Sequence, residues 1–245
     1  MKKVILFTVI LFTVFLFYSK VDNTITNEDI RYIKKILVVG NISKIENINE
    51  LSLKKQVDLI KKVQESVLNI SPSLKGIPLC QLREPKQLYY SKFSSCSERS
   101  RTIEKVLRYL GFKTRHISIY KITNEHFGFL ALFKPKQPSH AVSEVFTKQG
   151  WILIDSNSNW VAENYTSYLT TQEIYEKNIL GKNINWKKFP PENILNNKFF
   201  YIYGLYSRHG KFYPPYNFIP DINYREFIQN AILQTCRKET CLFTK

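Results

Sequence analysis

Ser95 and Glu98 have the S-x-x-E spacing of a helix capping box, and an apolar stripe of Ile103, Val106, Leu107 and Leu110 follows them. Cys96 is then the first residue of a helix. There the free backbone N–H groups and the positive end of the helix dipole favour a thiolate over a thiol. A thiolate attacks carbonyl carbon, and it needs a base to take its proton and return one to the leaving group. His140 opens the run HAVSEVF and Asp155 closes the run WILID, which supplies a base and a carboxylate able to fix its tautomer.

Whether His140 and Asp155 can meet depends on strand parity. If the two runs are antiparallel strands joined by a four-residue turn at 147–150, Phe146 faces Trp151 and Val142 faces Asp155. His140 then lies diagonally across from Asp155 on the same face, within reach of a long side chain. A three-residue turn would put the two on opposite faces unless a bulge intervened.

The surrounding segments must hold these residues. Apolar spacing predicts helices over 26–39 and 51–70, the second carrying Leu53, Val57, Ile60, Val63 and Val67 near one face. Ser71-Pro72-Ser73 and Gly76-Ile77-Pro78 interrupt the chain before the helix of Cys96, which ends at Gly111, a left-handed cap. Strand patterns follow over 115–121, 127–133, 140–147 and 151–155. Short helices are expected over 170–180 and 224–233. The stretch 199–220, rich in Tyr, Phe and Pro, reads as an extended segment packed on a core, with lining of a substrate cleft as the other reading. The organisation expected is an N-terminal apolar segment (1–20), a helical region (21–75), a catalytic core (76–190) and an aromatic-rich extension with a helix (191–245).

The segments SSCSERSRTIEKVLRYLGFKTRHISIY, SHAVSEVF and QGWILIDSNSNW resemble the transglutaminase-like superfamily of papain-type folds. That family sets its cysteine at a helix N-terminus, its histidine at the head of a strand and its aspartate after G-W-x-x-x-D. The likeness covers about a third of the chain. It implies an α+β fold in which Cys96 begins a helix packed on an antiparallel sheet, with Cys96, His140 and Asp155 as a catalytic triad. It also implies action on amide bonds of a protein or peptide, by hydrolysis or by transfer to an amine. Val142 stands where many relatives have Trp, Ser156 where Pro is common, and Ser94 where Gly is usual, so the substrate-facing surface is not carried over. An oxyanion would meet the Cys96 backbone N–H and a side-chain donor upstream, with Gln87, Tyr89 and Tyr90 as candidates.

No cofactor is implied. His126 and His209 lack close ligand spacing with His140, which argues against a zinc site. His116 reads as structural and Glu144 as an exposed strand carboxylate. The formal charge of +16 would draw the chain to anionic material, acidic envelope polysaccharide included, but its lysines are scattered and no basic stripe with interleaved aromatics points to nucleic acid.

Lys2-Lys3 followed by the apolar run 4–18 has the form of a signal or anchor. Small residues for cleavage are missing after it, which favours a retained single-pass anchor over a secreted form, with the remainder periplasmic or extracellular. Of the four cysteines, Cys236 and Cys241 close most easily as a local disulfide, leaving Cys80 free or buried. The rival to an enzyme is a module of the same fold that has lost activity and binds an envelope protein or polysaccharide.

Overall fold

The computed structural model describes residues 2–18, 24–43, 47–77, 82–122 and 138–203. The strand expected at 127–133, the helix at 224–233, most of the aromatic stretch, and Cys80, Cys236, Cys241, His126 and His209 lie outside the described residues.

Among the described residues the chain is α+β. Its helices are α1 (Lys2–Tyr18), α2 (Asn27–Val39), α3 (Leu53–Ile70), α4 (Pro85–Ser91), α5 (Cys96–Tyr109) and α6 (Thr171–Ile179). Its strands are β1 (Lys113–Lys121), β2 (Ser139–Thr147), β3 (Gly150–Ile154) and β4 (Phe199–Tyr203), ordered β3-β2-β1-β4 and antiparallel throughout. The side chains at the helix starts explain where they begin. Thr26 with Asp29, Ser95 with Glu98 and Thr170 with Glu173 each form a capping box, and Ser52 accepts from the Lys55 N–H ahead of α3. Gly111, at φ +101, ends the turn after α5, in the left-handed region that favours glycine.

The β2–β3 hairpin has the register expected for a four-residue turn at 147–150, which sets His140 diagonally across from Asp155. Phe146 pairs with Trp151, Thr147 with Gly150 and Ser143 with Ile154. Gly150 takes φ +106, which lets Lys148 and Gln149 turn the chain with ordinary negative φ.

Both faces of the sheet are covered. Val145, Ile152 and Ile154 join a core with Ile60, Val63, Val67, Ile103 and Val106 of α3 and α5. Ile117, Val142 and Leu153 join a second core with Trp160, Leu169, Ile174, Leu195 and Phe199. β4, from the segment read as an extension, is thus the fourth strand, bonded to β1 from Ile117–Tyr203 to Lys121–Phe199. This is also why Glu144 is fully buried rather than exposed. Its carboxylate accepts from Arg115 and from the Thr171 N–H at the start of α6, a favourable place for a negative charge.

α5 lies at the centre, against α2, α3, α4, β1 and β2. Its polar side, which an amphipathic pattern would turn to water, is buried too, because α2 and the start of α4 bring acids to it. Arg101 makes a two-pronged bond to Glu84, and Lys105 reaches Asp29 at 2.8 Å and Glu84 at 2.7 Å. Burial disfavours the charged Glu84, but Arg101 and Lys105 outweigh it and hold its carboxyl down at about 2.

α1 is 17 residues long, about 25 Å at 1.5 Å per residue, with Ile5, Leu6, Phe7 and Phe12 exposed. Among the described residues no helix is long and apolar enough to cross a membrane.

Candidate active site

Three elements deliver three side chains to one place: Cys96 from the first position of α5, His140 from the head of β2, and Asp155 from just beyond β3. Cys96 is a free thiol and half-buried, whereas His140 and Asp155 are buried. His140 Nε2 lies 2.5 Å from Asp155 Oδ1, and the Cys96 thiol is hydrogen-bonded to the same imidazole.

Electrostatics favour the charged pair. Burial works against a thiolate at Cys96, yet the bond and charge of His140 and the backbone N–H groups of Ala141 and Ser97 together bring its pKa below the ordinary 9.0. Burial likewise works against a protonated His140, but Asp155 and Cys96 overcome it and push the ring up to about 10. Both shifts run toward a thiolate–imidazolium pair, the form a sulfur nucleophile requires.

Asp155 is fixed from every side. Its Oδ2 accepts from the Asn157 N–H at 3.1 Å and the Ser158 hydroxyl at 2.8 Å, both in the loop that returns the chain to Trp160. Gln64 of α3 places Nε2 at 2.7, 3.1 and 3.0 Å from the carbonyl oxygens of Asp155, Ser158 and Trp160. Arg99, three residues beyond Cys96 and 2% exposed, binds Ser94 Oγ, Asn157 Oδ1 and the carbonyls of Ser71 and Ser73. Burial pulls its guanidinium below the ordinary value, and the nearby charges of Cys96, Glu98 and Asp155 act in the opposite direction. Neither Gln64 nor Arg99 stood out from motif spacing. The signal that could have found them is a polar residue on an apolar helix stripe: Gln64 lies four residues beyond Ile60, and Arg99 four before Ile103.

No family model and no curated protein matches the chain. Among solved structures it is similar to a chain of the crystal structure of Rad4-Rad23 bound to a 6-4 photoproduct UV lesion. The identity is 13% and the TM-score 0.34, over 68% of this chain and 42% of that one, so this chain spans less than half of the other's length. A likeness of that degree carries no argument about function.

The upstream candidates lie on α4 and part company. Tyr90 and Tyr89 stack with Tyr32 of α2; the Tyr90 hydroxyl bonds that of Tyr32 at 3.0 Å, and Tyr89 lies under the ammonium groups of Lys35 and Lys92. These contacts tie both tyrosines to α2. Gln87 has a buried amide oxygen with no hydrogen-bond partner among the described residues. His116 is fully buried on β1, bonded to Glu104. Among the described residues no group of three or more His, Cys, Asp or Glu could hold a metal ion.

Proposed function

We propose that this chain is a thiol-dependent acyl-transfer enzyme with a papain-type, transglutaminase-like core, acting on amide bonds through Cys96, His140 and Asp155. The observation that carries the reading is the imidazole of His140, bonded at Nε2 to a fixed carboxylate and also to the thiol at the start of α5. In the reaction Cys96 Sγ adds to the amide carbonyl. The oxyanion is met by the Cys96 backbone N–H and by an upstream side-chain donor, for which the Gln87 amide N–H is the candidate. The imidazolium then gives its proton to the departing nitrogen, the C–N bond breaks and a thioester remains. Asp155 keeps the tautomer and the charge of His140 through both steps. Water or an amine, deprotonated by His140, resolves the thioester, so the same site serves a protease or amidase and a cross-linking enzyme.

The apolar α1, which begins with Lys2 and Lys3, supports attachment to a membrane with the catalytic core on the periplasmic or outer side, where the substrate is a protein or peptide amide of the envelope. The charge of +16 supports a further affinity for acidic polysaccharide there.

The test uses full-length protein in mild detergent, envelope extract and a tagged primary amine, beside Cys96→Ala. Incorporated amine, released ammonia or new peptide termini are expected, all lost in the variant. If none appears, and Cys96 reacts with iodoacetamide no faster than free cysteine near neutral pH, the enzyme reading fails and a binding module of the same fold takes its place.

A further inference from the structure

A second buried polar cluster lies behind the pair of Cys96 and His140. Ser100 and Glu104 stand one and two turns on from Cys96 along α5. Ser100 Oγ lies 2.6 Å from Ser143 Oγ and 3.2 Å from the Val142 carbonyl oxygen. Glu104 Oε1 accepts from Ser143 Oγ at 2.7 Å, from Ser100 Oγ at 3.2 Å and from His116 Nδ1 at 2.9 Å. Ser100 and Glu104 both meet the same nitrogen of His116, so these three do not form a second relay of nucleophile, base and acid. All four side chains are 2% exposed or less.

We propose that Glu104, with Ser100, Ser143 and His116, is the positioning group of the thiol site, fixing the offset of α5 along β2. An apolar seam between a helix and a strand tolerates sliding, because methyl groups repack against one another. Here a slide strips hydrogen bonds from a buried carboxylate, so only one register keeps it satisfied. That register brings Cys96 Sγ to His140 and to the Ala141 N–H, at the head of the strand whose Val142 and Ser143 the cluster grips. The titratable and charged groups facing Glu104 include His116 from β1 and Arg108 from its own helix; His140 and Arg99 face Cys96, and Glu98 and Asp155 face Arg99.

The inference rests on Cys96 being a thiolate nucleophile, and the test separates the two. Full-length wild type, Glu104→Gln and Ser143→Ala are alkylated with iodoacetamide across pH, and the tryptic peptide 93–99, which carries Cys96 alone, is quantified by mass spectrometry. Wild type should stay reactive below the range of an ordinary thiol. In the variants the acid limb should move up by about one unit, roughly a tenfold loss of rate at mildly acid pH. Variants that melt earlier yet keep the wild-type profile would overturn the positioning role while leaving the thiolate reading intact. A wild-type profile like that of free cysteine would overturn both. If Glu104→Gln does not fold, Ser143→Ala and Ser100→Ala decide between these outcomes.

Discussion

Replacing Cys96 by serine exposes the proton balance of the site as a change in how stability depends on pH. The slope of unfolding free energy with pH follows the protons bound in the unfolded state minus those bound in the folded state. For His140, raised from 6.5 to about 10 against its burial by Asp155 and Cys96, that difference is about −1 between those two values. Its contribution is complete below 6.5 and is lost as pH rises through about 10. For Cys96, lowered against its burial by His140, Ala141 and Ser97, the difference is about +1 from its folded value up to 9.0. That contribution is complete above 9.0 and is lost as pH falls through the folded value. Where the two windows overlap the slopes cancel, so wild type gains no pH dependence from the pair. Cys96→Ser has no thiol proton, but His140 keeps Asp155 beside it, and the histidine's share stands alone. Across the range in which the wild-type Cys96 has lost its proton and the variant's His140 keeps its own, stability of the variant relative to wild type should fall with rising pH by up to ~1.4 kcal/mol per unit. Urea midpoints of both proteins at several pH values, taken as a difference, cancel every other titrating group. A difference that stays flat from about pH 6 to 9 refutes the thiolate–imidazolium pair.

Asp155→Asn should do more than remove a charge. Two donors, the Asn157 N–H and the Ser158 hydroxyl, face Oδ2, so the new amide turns its oxygen to them and its NH2 to His140 Nε2, which moves the ring proton to Nδ1. Alkylation of Cys96 at neutral pH should slow at least about tenfold, and an unchanged rate would contradict the role given to Asp155. Gln64→Ala removes the amide that ties the carbonyls of Asp155, Ser158 and Trp160 together; calorimetry should show a loss of ~1–3 kcal/mol, with slower Cys96 alkylation alongside it. Glu144→Gln removes a buried carboxylate from between Arg115 and the start of α6, with an expected loss of ~1.5–3 kcal/mol seen by denaturation. Because Glu144 is bonded to neither Cys96 nor His140, the pH profile of Cys96 should not move, which makes this variant the control for simple destabilisation.

What the sequence by itself determined were features set over a few residues. Ser95 and Glu98 cap α5 with groups already in sequence reach, so they place Cys96 at its first turn before any tertiary contact exists. Gly150 supplies the left-handed residue of the hairpin, and with it the parity that lets His140 meet Asp155. Alternation and helical spacing located α2, α3, α6 and β1 to within a few residues for the same reason. Tertiary structure decided what needed a distant partner. Glu144 looked solvent-facing because alternation marks a face but not what covers it; α6 and β4 close over that side of the sheet. Arg101 and Lys105 are buried because Asp29, 76 residues before Lys105, and Glu84 pair with them, partners that helical spacing alone does not reveal. Gln64 reaches a carbonyl 91 residues away, and the Ala141 N–H turns to a sulfur on another element. The sequence therefore supplied the reactive groups and the parity that allows them to meet. The fold supplied the shifts of Cys96 and His140 from their ordinary values, because desolvation and the fields of neighbouring charges exist only once the segments are packed together.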